Sequence, residues 1–491
     1  MSGRFAVVCV VVGMCLLCAF AAPGKTKTMF FFDAEDYTNP RSWDALRDLS
    51  TLFHGEGATV HVALVGYLAH QLEANGRRDV LDALKPHLVG TQSAYHSKHP
   101  NVMELSDGED YAAAYARVFA EESEGIRMIE RATGKKVGFA VPPGTSKSYV
   151  AMYAYADMGL KFYCDTVIGG EQGGAWYGLG LRQCPYTVSM EFLLPDPNRE
   201  LREADVASEL DRAAKEEVAI FYLHPCMAVC RQFWDGLNYN GTNSAAFGEW
   251  KLSEPRPAAD TKLYLSRLRQ LVRRLRADKR FAFATLDELA AAERPRVPVR
   301  RADAARISRH LADRGLRPMD EPSWSVADLF QASVRFLNGE AEHIPGRTYG
   351  FLEKPYAVSS SVTLTAADLR TAAKAIDLKS FLPPALTVGS VKVGPGDFLR
   401  AAMAVLATGA DKVTVTPSDP LAEVRNQVEL RDFHAVGTWV FTPDYKDAYT
   451  TDRLRWQVWT MRREPMDFRG RTSENSRDSN CKFQVKFSGF V

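Results

Sequence analysis

Short apolar runs of strand length alternate with longer amphipathic stretches between Thr28 and about Ala292. In the first unit, the run Met29–Phe32 is followed by Trp43–Phe53, whose apolar residues recur at the spacing of one helix face. The other predicted strands are Ala58–Val65, Leu88–Tyr95, Lys136–Ala140, Leu160–Cys164, Val218–Leu223 and Phe281–Ala284. The other predicted helices are Leu81–Leu84, Asp110–Ala132, Thr145–Asp157, Ala204–Lys215, Asp260–Ala277 and Leu286–Ala292. Repeated strand–helix units favour a parallel sheet, so the pattern predicts an α/β fold resembling a (β/α) barrel.

Polar residues stand directly after several of the predicted strands. In α/β barrels, the carboxyl ends of the strands carry the chemistry, so these residues are candidates for one shared site. They are Asp33, Asp36, His96, His99, Asp165 and His224.

His96 and His99 stand three residues apart and are followed by Pro100, whose fixed φ stiffens the exit of their loop. Imidazole nitrogens are good zinc ligands, but two of them make only half a site. The acidic run Asp33–Asp36 at the end of the first strand is a candidate for the rest. Two alternatives stay open: the histidines as surface or structural residues, and the aspartates as capping or turn residues.

Length and composition indicate an ordinary globular protein. Of its residues, 46% are hydrophobic and 25% are charged, which are ordinary values for a globular protein. The length of 491 residues suggests two or more domains. A formal net charge of +1 argues against a nucleic-acid partner, since such proteins carry a marked basic excess or stripe.

Residues 1–22 have the pattern of a secretory signal peptide: Arg4, a nearly continuous apolar run from Phe5 to Phe20, and small residues for cleavage. An N-terminal membrane anchor is the alternative, but the run is short for a span. We therefore expect a protein secreted or held in the cell envelope, with no stable membrane span after cleavage. In such a compartment, Cys164, Cys184, Cys226 and Cys230 could form two disulfides.

Residues 293–301 form a basic, proline-containing linker, beyond which the pattern changes. Similar amphipathic helices are predicted to begin near Asp328 and Asp397, with a weaker copy near Asp368. They suggest a helical, repeat-like accessory domain over residues 302–463, unless the similarity is only compositional. Residues 464–491 form a polar tail.

The candidate residues contain the parts of a metal-dependent hydrolase. One Asp and two His would leave a catalytic metal open to water, whose pKa the cation lowers. A second carboxylate could take the proton from that water, and a further His could protonate a leaving group.

This layout resembles the polysaccharide deacetylase (NodB-homology) superfamily, carbohydrate esterase family four, over roughly Thr28 to Ala292. The family's paired aspartates match Asp33 and Asp36, so the resemblance implies that Asp33 is the catalytic base and Asp36 a metal ligand. Its His motif ending in His-Pro matches residues 96–100, which implies that His96 and His99 are the other ligands. Its late Leu-x-His strand end is similar to residues 222–224 and implies that His224 assists the leaving group.

The chain also departs from the family pattern. Pro142-Pro143-Gly144 matches only part of the third motif, because residues 139–141 lack the arginine that normally orients the base. We therefore expect an Arg or Lys from another loop to hold Asp33. The two histidines are also one residue closer than in the commoner family form, and Pro225 stands where an Asp is usual.

The resemblance implies hydrolysis of an amide or ester on a carbohydrate, most simply deacetylation, with one divalent ion as cofactor. Zinc is the first expectation, with cobalt, nickel or manganese as alternatives. The partner would be a carbohydrate or cell-wall polymer, bound by Pro143, Gly144, Trp176 and Tyr177, the last two by stacking on sugar rings. The rival functions are an inactive carbohydrate-binding protein, favoured by the missing arginine, and an amidase acting on small non-sugar substrates.

Overall fold

A computed structural model describes residues 25–144, 146–165, 175–240, 243–292, 295–424, 441 and 445–464. The predicted signal peptide, and the predicted tail beyond residue 464, lie outside these residues. The helices are α1 (Pro40–Gly55), α2 (Gly66–Ala74), α3 (Arg78–Ala83), α4 (Val102–Ser106), α5 (Tyr111–Thr133), α6 (Tyr149–Asp157), α7 (Glu203–Ala213), α8 (Trp234–Asn238), α9 (Ala258–Ala277), α10 (Leu286–Ala291), α11 (Ala304–Arg314), α12 (Val326–Leu337), α13 (Ala366–Ala373), α14 (Pro395–Thr408) and α15 (Thr450–Trp456). None of the helices in the described ranges is long and apolar enough to cross a bilayer.

The strands of the main sheet are β1 (Thr26–Ala34), β2 (Val60–Leu64), β3 (Leu88–Thr91), β4 (Phe139–Ala140), β5 (Phe162–Cys164), β6 (Trp176–Gly178), β7 (Leu181–Cys184), β8 (Tyr186–Ser189), β9 (Val218–Leu223) and β10 (Phe281–Phe283). Strand β1 lies centrally and pairs in parallel with β2, β9 and β10. The sheet curls like a half-barrel, which confirms the predicted α/β barrel-like class. The antiparallel pair β6 and β7 was not predicted, because its strands are too short to show an apolar period.

The alternation of side chains along β1 separates the two faces of the sheet. Phe30 and Phe32 face the outer helices and pack edge-on against Phe53 of α1, with ring centroids 5.2 and 5.1 Å apart. Phe31 points to the inner face, where its ring lies 5.3 Å from Phe139 in a separate apolar cluster. Odd-numbered residues of β1 therefore face the inside of the curled sheet, and even-numbered residues face the helices.

Over its described residues, the C-terminal region contains four short antiparallel strand pairs in addition to its helices. These strands are β11 (Val299–Arg300), β12 (Met319–Asp320), β13 (Ser323–Trp324), β14 (Glu342–His343), β15 (Val362–Thr365), β16 (Leu386–Val388), β17 (Val391–Val393) and β18 (Lys412–Val415). The region is therefore less purely helical than the sequence pattern suggested.

The two similar helices, α12 and α14, begin with the same device. The Asp328 carboxylate accepts the backbone N–H of Ser325 at 2.8 Å, and the Asp397 carboxylate accepts that of Gly394 at 3.0 Å. Both bonds close the first helical turn, as in a capping box. Helix capping therefore explains why both helices have an aspartate at this position. The repeat-like accessory domain remains a prediction.

The end of the described chain adds a strand to the main sheet. Strand β19 (Arg462–Arg463) pairs antiparallel with β6. The Arg462 guanidinium also forms a 3.0 Å ion pair with Asp328 of α12, and both side chains are almost fully buried. The C-terminal region and the sheet are thus joined by backbone pairing and by a buried charge pair.

Candidate active site

Asp33 and Glu35 extend the inner face of β1. Asp33 has the same parity as Phe31, and Glu35, one residue beyond the strand, continues the alternation. His224 follows β9 with the parity of Ile220, which also faces the inner cluster. The alternation of two parallel neighbours therefore directs these polar side chains to the same end of the sheet interior.

Asp33 is held by a tyrosine and faces a histidine. The Tyr186 hydroxyl donates a 2.7 Å hydrogen bond to Asp33 Oδ1, and His224 Nε2 lies 3.6 Å from Asp33 Oδ2. Burial raises the pKa of Asp33 to about 6, against the opposing effects of His224 and Tyr186. The group that holds this carboxylate is therefore a tyrosine of β8, and not the expected Arg or Lys.

His224 is fixed from its other side by Glu191. The Glu191 Oε1 atom lies 2.7 Å from His224 Nδ1 and also accepts the backbone N–H of His224 at 3.1 Å. Burial opposes protonation of this imidazole, but the carboxylates of Glu35, Glu191 and Asp33 together raise its pKa to about 10. The ring is thus oriented with Nε2 directed towards Asp33. Sequence reasoning missed Glu191, because it stands in a short 3₁₀ helix, Met190–Leu193, without a motif.

A second group of buried side chains lies beside this pair. Glu35, His96 and Asp235 each offer one ligand atom, and the three atoms lie within 4.8 Å of one another. His96 Nε2 is 3.1 Å from Glu35 Oε2, while His96 Nδ1 is 2.8 Å from Ser97 Oγ and 3.6 Å from Asp235 Oδ2. Trp234 Nε1 donates to Glu35 Oε1 at 3.2 Å and fixes that carboxylate.

This donor set fits a divalent metal ion. His96 Nε2 is fully buried and, despite its closeness to Glu35, has no partner in hydrogen-bonding geometry. Burial, followed by the charge of Glu35, raises the pKa of Asp235 to about 6. A cation would relieve this repulsion between carboxylates, and two carboxylates with one imidazole are an accepted ligand set for zinc or related ions.

Of the three predicted ligands, the structure places only His96 in this group. Asp36 has even parity and faces α1, where its carboxylate accepts bonds from Ser42 Oγ at 2.6 Å and from Thr38 N at 2.9 Å. It acts there as a turn residue, the alternative that the sequence left open. Glu35 is the acidic residue of the run that reaches His96, and the alternation along β1 is the signal that would have identified it.

His99 also has partners outside the group. Its Nδ1 atom lies 2.9 Å from Glu104 Oε2, and its Nε2 atom lies 3.3 Å from the carbonyl oxygen of Tyr239. The third residue of the group with Glu35 and His96 is Asp235 of α8, which follows no strand end in the sequence.

The predicted sugar-stacking residues, Trp176 and Tyr177, are buried in β6. The guanidinium groups of Arg463 and Arg462 lie over their rings, 5.9 and 4.2 Å from the centroids, so the C-terminal strand covers them. These two rings therefore pack the junction with the C-terminal region and do not present a sugar-binding face.

Pro143 and Gly144 lie in the loop after β4, where Pro143 is buried and Gly144 is exposed with φ +55°. The residues in place of the family arginine include Phe139 and Val141, which belong to the inner apolar cluster. The chain thus has apolar packing where the family has a charge.

The two disulfides that the sequence left possible are absent among the described residues, where Cys164, Cys184, Cys226 and Cys230 carry free, buried thiols. Cys164 and Cys184 are register partners on β5 and β7. Cys230 Sγ accepts a bond from Asn39 Nδ2 at 3.4 Å.

Comparison with known proteins gives matches among solved structures alone. No family model and no curated protein matches the chain. A mutant of a carbohydrate esterase family four pseudoenzyme with restored enzymatic activity is 15% identical, with a TM-score of 0.32 over 54% of this chain and 68% of that chain. The family four carbohydrate esterase from Streptomyces lividans, in complex with acetate, is 14% identical, with a TM-score of 0.30 over 53% of this chain and 92% of that chain.

A third match is the catalytic domain of a peptidoglycan N-acetylglucosamine deacetylase from Eubacterium rectale. It is 14% identical, with a TM-score of 0.29, and covers 54% of this chain and 91% of that chain. The first two proteins are described as members of the family that the sequence motifs resemble.

Proposed function

We propose that this chain is a metal-dependent hydrolase that removes acyl groups, most simply acetyl groups, from a carbohydrate. The observation that carries the proposal is the convergence of an acid–base pair, Asp33 and His224, with the three-residue donor group of Glu35, His96 and Asp235. His224 Nε2 is 3.6 Å from Asp33 Oδ2 and 3.9 Å from Glu35 Oε2, so the two groups are contiguous.

The donor group would hold one divalent ion, zinc first among the candidates. The chemistry that such an ion supplies is Lewis acidity, which polarises an acyl oxygen and lowers the pKa of water. Ser97 and Trp234 hold Asp235 and Glu35 by hydrogen bonds and keep the donor atoms oriented.

The chain's own residues would manage the protons. Asp33 Oδ2 accepts a proton from the attacking water as the water oxygen bonds to the acyl carbon. His224 Nε2 gives a proton to the departing nitrogen or oxygen of the sugar as the bond to the acyl carbon breaks. The products are a free amine or hydroxyl on the sugar and a carboxylic acid.

The missing arginine does not leave the base unsupported. Tyr186 donates to Asp33, and Glu191 binds His224 through both its ring and its backbone N–H. This support weakens the main sequence argument for an inactive binding protein. Glu191 also lines a cleft of about 320 Å³ with Phe192, Arg199 and Arg256, which offers room beside the acid for part of a substrate.

We also propose that the protein acts outside the cytoplasm on a glycan, as the pattern of residues 1–22 suggests. A leader-containing form expressed in a bacterial host would test this by fractionation and by sequencing the N-terminus of the mature chain. Mature protein that begins near residue 23 would support export, and uncleaved protein in the cytosol would contradict it.

The central experiment is metal analysis of the purified protein together with an assay of acetate release. The substrates would be N-acetylated glucosamine oligomers, acetylated xylo-oligomers and small non-sugar amides. We expect one bound divalent ion per chain and release of acetate from a sugar, with no release by the Asp33→Asn variant. Turnover of the small amides alone would favour the amidase function, and a metal-loaded protein without any turnover would favour the binding function.

A further inference from the structure

An exposed aromatic residue lies against the loop that carries His96. Phe247 is 42% exposed, whereas the other large hydrophobic residues exposed in the described ranges are aliphatic. It stands in the loop between α8 and α9. An exposed aromatic ring held in a fixed position is a common feature of surfaces that bind ligands.

The Phe247 ring belongs to a packed group. Its centroid lies 4.4 Å from that of Tyr67 and 5.7 Å from that of Tyr95, and both tyrosines are half-buried. The Lys98 ammonium lies 5.2 Å from the Phe247 centroid and 5.8 Å from the Tyr95 centroid. We call Tyr67, Tyr95, Lys98 and Phe247 the aromatic platform.

Two of the four platform residues lie on the loop that carries His96. Tyr95 and Lys98 bracket His96 and Ser97 on one loop. Tyr37, two residues after Glu35, also packs against Tyr67, with centroids 5.2 Å apart. The platform is therefore linked to His96 through one short loop and to Glu35 through the contact of Tyr37 with Tyr67.

Resting on the proposed function, we infer that the aromatic platform binds the pyranose ring of a glycan residue next to the one that is deacylated. The C–H face of a pyranose is apolar and flat enough to stack on Phe247 or Tyr95, while its hydroxyl groups stay free. The Lys98 ammonium would donate to a hydroxyl or acyl oxygen at the edge of that ring. This arrangement selects an oligosaccharide over a single sugar, because a monosaccharide in the site would leave the platform empty.

The test compares N-acetylglucosamine with its tetramer as substrates of the whole protein. In the Phe247→Ala variant, we expect the ratio of kcat/KM for the tetramer to that for the monosaccharide to fall by about 3–10-fold, the scale of one aromatic stacking contact. Phe247→Tyr should restore the ratio. Leu263→Ala, which removes an aliphatic side chain of similar exposure (44%) from α9, should leave it at the wild-type value.

Tetramer binding to the Asp33→Asn variant separates failure of this inference from failure of the proposed function. Trp250, whose ring centroid lies 6.2 Å from that of Phe247, provides a fluorescence signal. If no sugar is hydrolysed but tetramer binding depends on Phe247, the platform stands and the hydrolase proposal fails. If the tetramer is hydrolysed with an unchanged ratio in Phe247→Ala, or if Phe247→Ala binds it as the parent does, the platform assignment is overturned.

Discussion

The Tyr186 hydroxyl donates a 2.7 Å hydrogen bond to Asp33 Oδ1, while the other oxygen of that carboxylate faces His224 Nε2 at 3.6 Å. The two oxygens thus have different environments: Oδ1 is bonded to Tyr186 of the sheet, and Oδ2 is directed into the site. A neutral donor holds Asp33 without adding a positive charge, so the carboxylate keeps more of its basicity than it would beside an arginine.

Asp33→Asn should abolish hydrolysis and leave the metal content unchanged, because it removes the base and spares the donor group. Tyr186→Phe should lower kcat by about 10-fold, since it removes one hydrogen bond that positions the base. Initial rates give the activity of each variant, and metal analysis of the same preparations gives its metal content. Loss of the metal in Asp33→Asn would instead make Asp33 a ligand, and full activity in that variant would rule out its role as base.

Glu35→Gln and Asp235→Asn should each weaken metal binding, whereas Asp36→Asn should not. The first two variants replace charged oxygen ligands in the donor group, and the third changes a carboxylate that binds only Thr38 and Ser42 among the contacts described here. Titration of the metal-free protein with Zn²⁺, followed by calorimetry, measures the affinities. Retained affinity in Glu35→Gln together with loss in Asp36→Asn would restore the ligand set expected from the sequence motif.

The strand–helix order and the strand-end positions of Asp33 and His224, which lie together in the structure, could be predicted from the sequence, because apolar periodicity and strand ends are local signals. Val218–Leu223 was predicted with the bounds that the structure has, and His224 follows it as expected. The donor group was harder to predict. Predicting Glu35 requires the side-chain alternation of β1 to be extended one residue beyond the end of the strand. Asp235 lies in a short helix that has no periodic pattern in the sequence. Trp176 and Tyr177 looked suited to sugar stacking, but only the fold shows that a later strand covers them.

His224→Ala should lower kcat by about 10²–10⁴-fold, the usual contribution of a general acid. Glu191→Gln should lower kcat less, because the amide can still accept the Nδ1–H and the backbone N–H of His224. Glu191→Ala removes both contacts, so its kcat should lie between those of Glu191→Gln and His224→Ala. Substrates with an acidic leaving group, such as an aryl acetate, provide the check: they need little protonation, so their rates should depend weakly on His224.

Arg462→Met should destabilise the protein by about 3–5 kcal/mol, because it leaves the buried Asp328 carboxylate without its charged partner. The double variant Arg462→Met, Asp328→Asn should recover much of that loss, since no unpaired charge remains. Free energies of unfolding from urea titrations at pH 7 measure both effects. Equal losses in the single and double variants would show that the ion pair does not couple the C-terminal strand to α12.

The contribution of His61 to protein stability should be lost on acidification between about pH 6.5 and pH 4. Its ring is fully buried, with Nδ1 3.0 Å from the Phe30 carbonyl and Nε2 accepting the Leu286 N–H at 3.0 Å, so both nitrogens are satisfied only when the ring is neutral. Burial lowers the pKa of His61 from 6.5 to about 4, against the opposing bond to Phe30. Above pH 6.5, neither the folded nor the unfolded chain protonates this ring. As the pH falls from 6.5 to 4, the unfolded chain gains the proton first, which costs up to about 3 kcal/mol of folding free energy.

The measurement is the free energy of unfolding at a series of pH values in wild type, His61→Gln and His54→Gln. Between pH 7 and pH 4, the change in the free energy of unfolding should be about 3 kcal/mol more favourable in His61→Gln than in wild type, because the residue that titrates only in the unfolded chain is gone. His54 is exposed on α1, so His54→Gln is the control for replacing a histidine at the surface. Parallel curves for wild type and His61→Gln over this range would contradict the assignment of a neutral, buried His61.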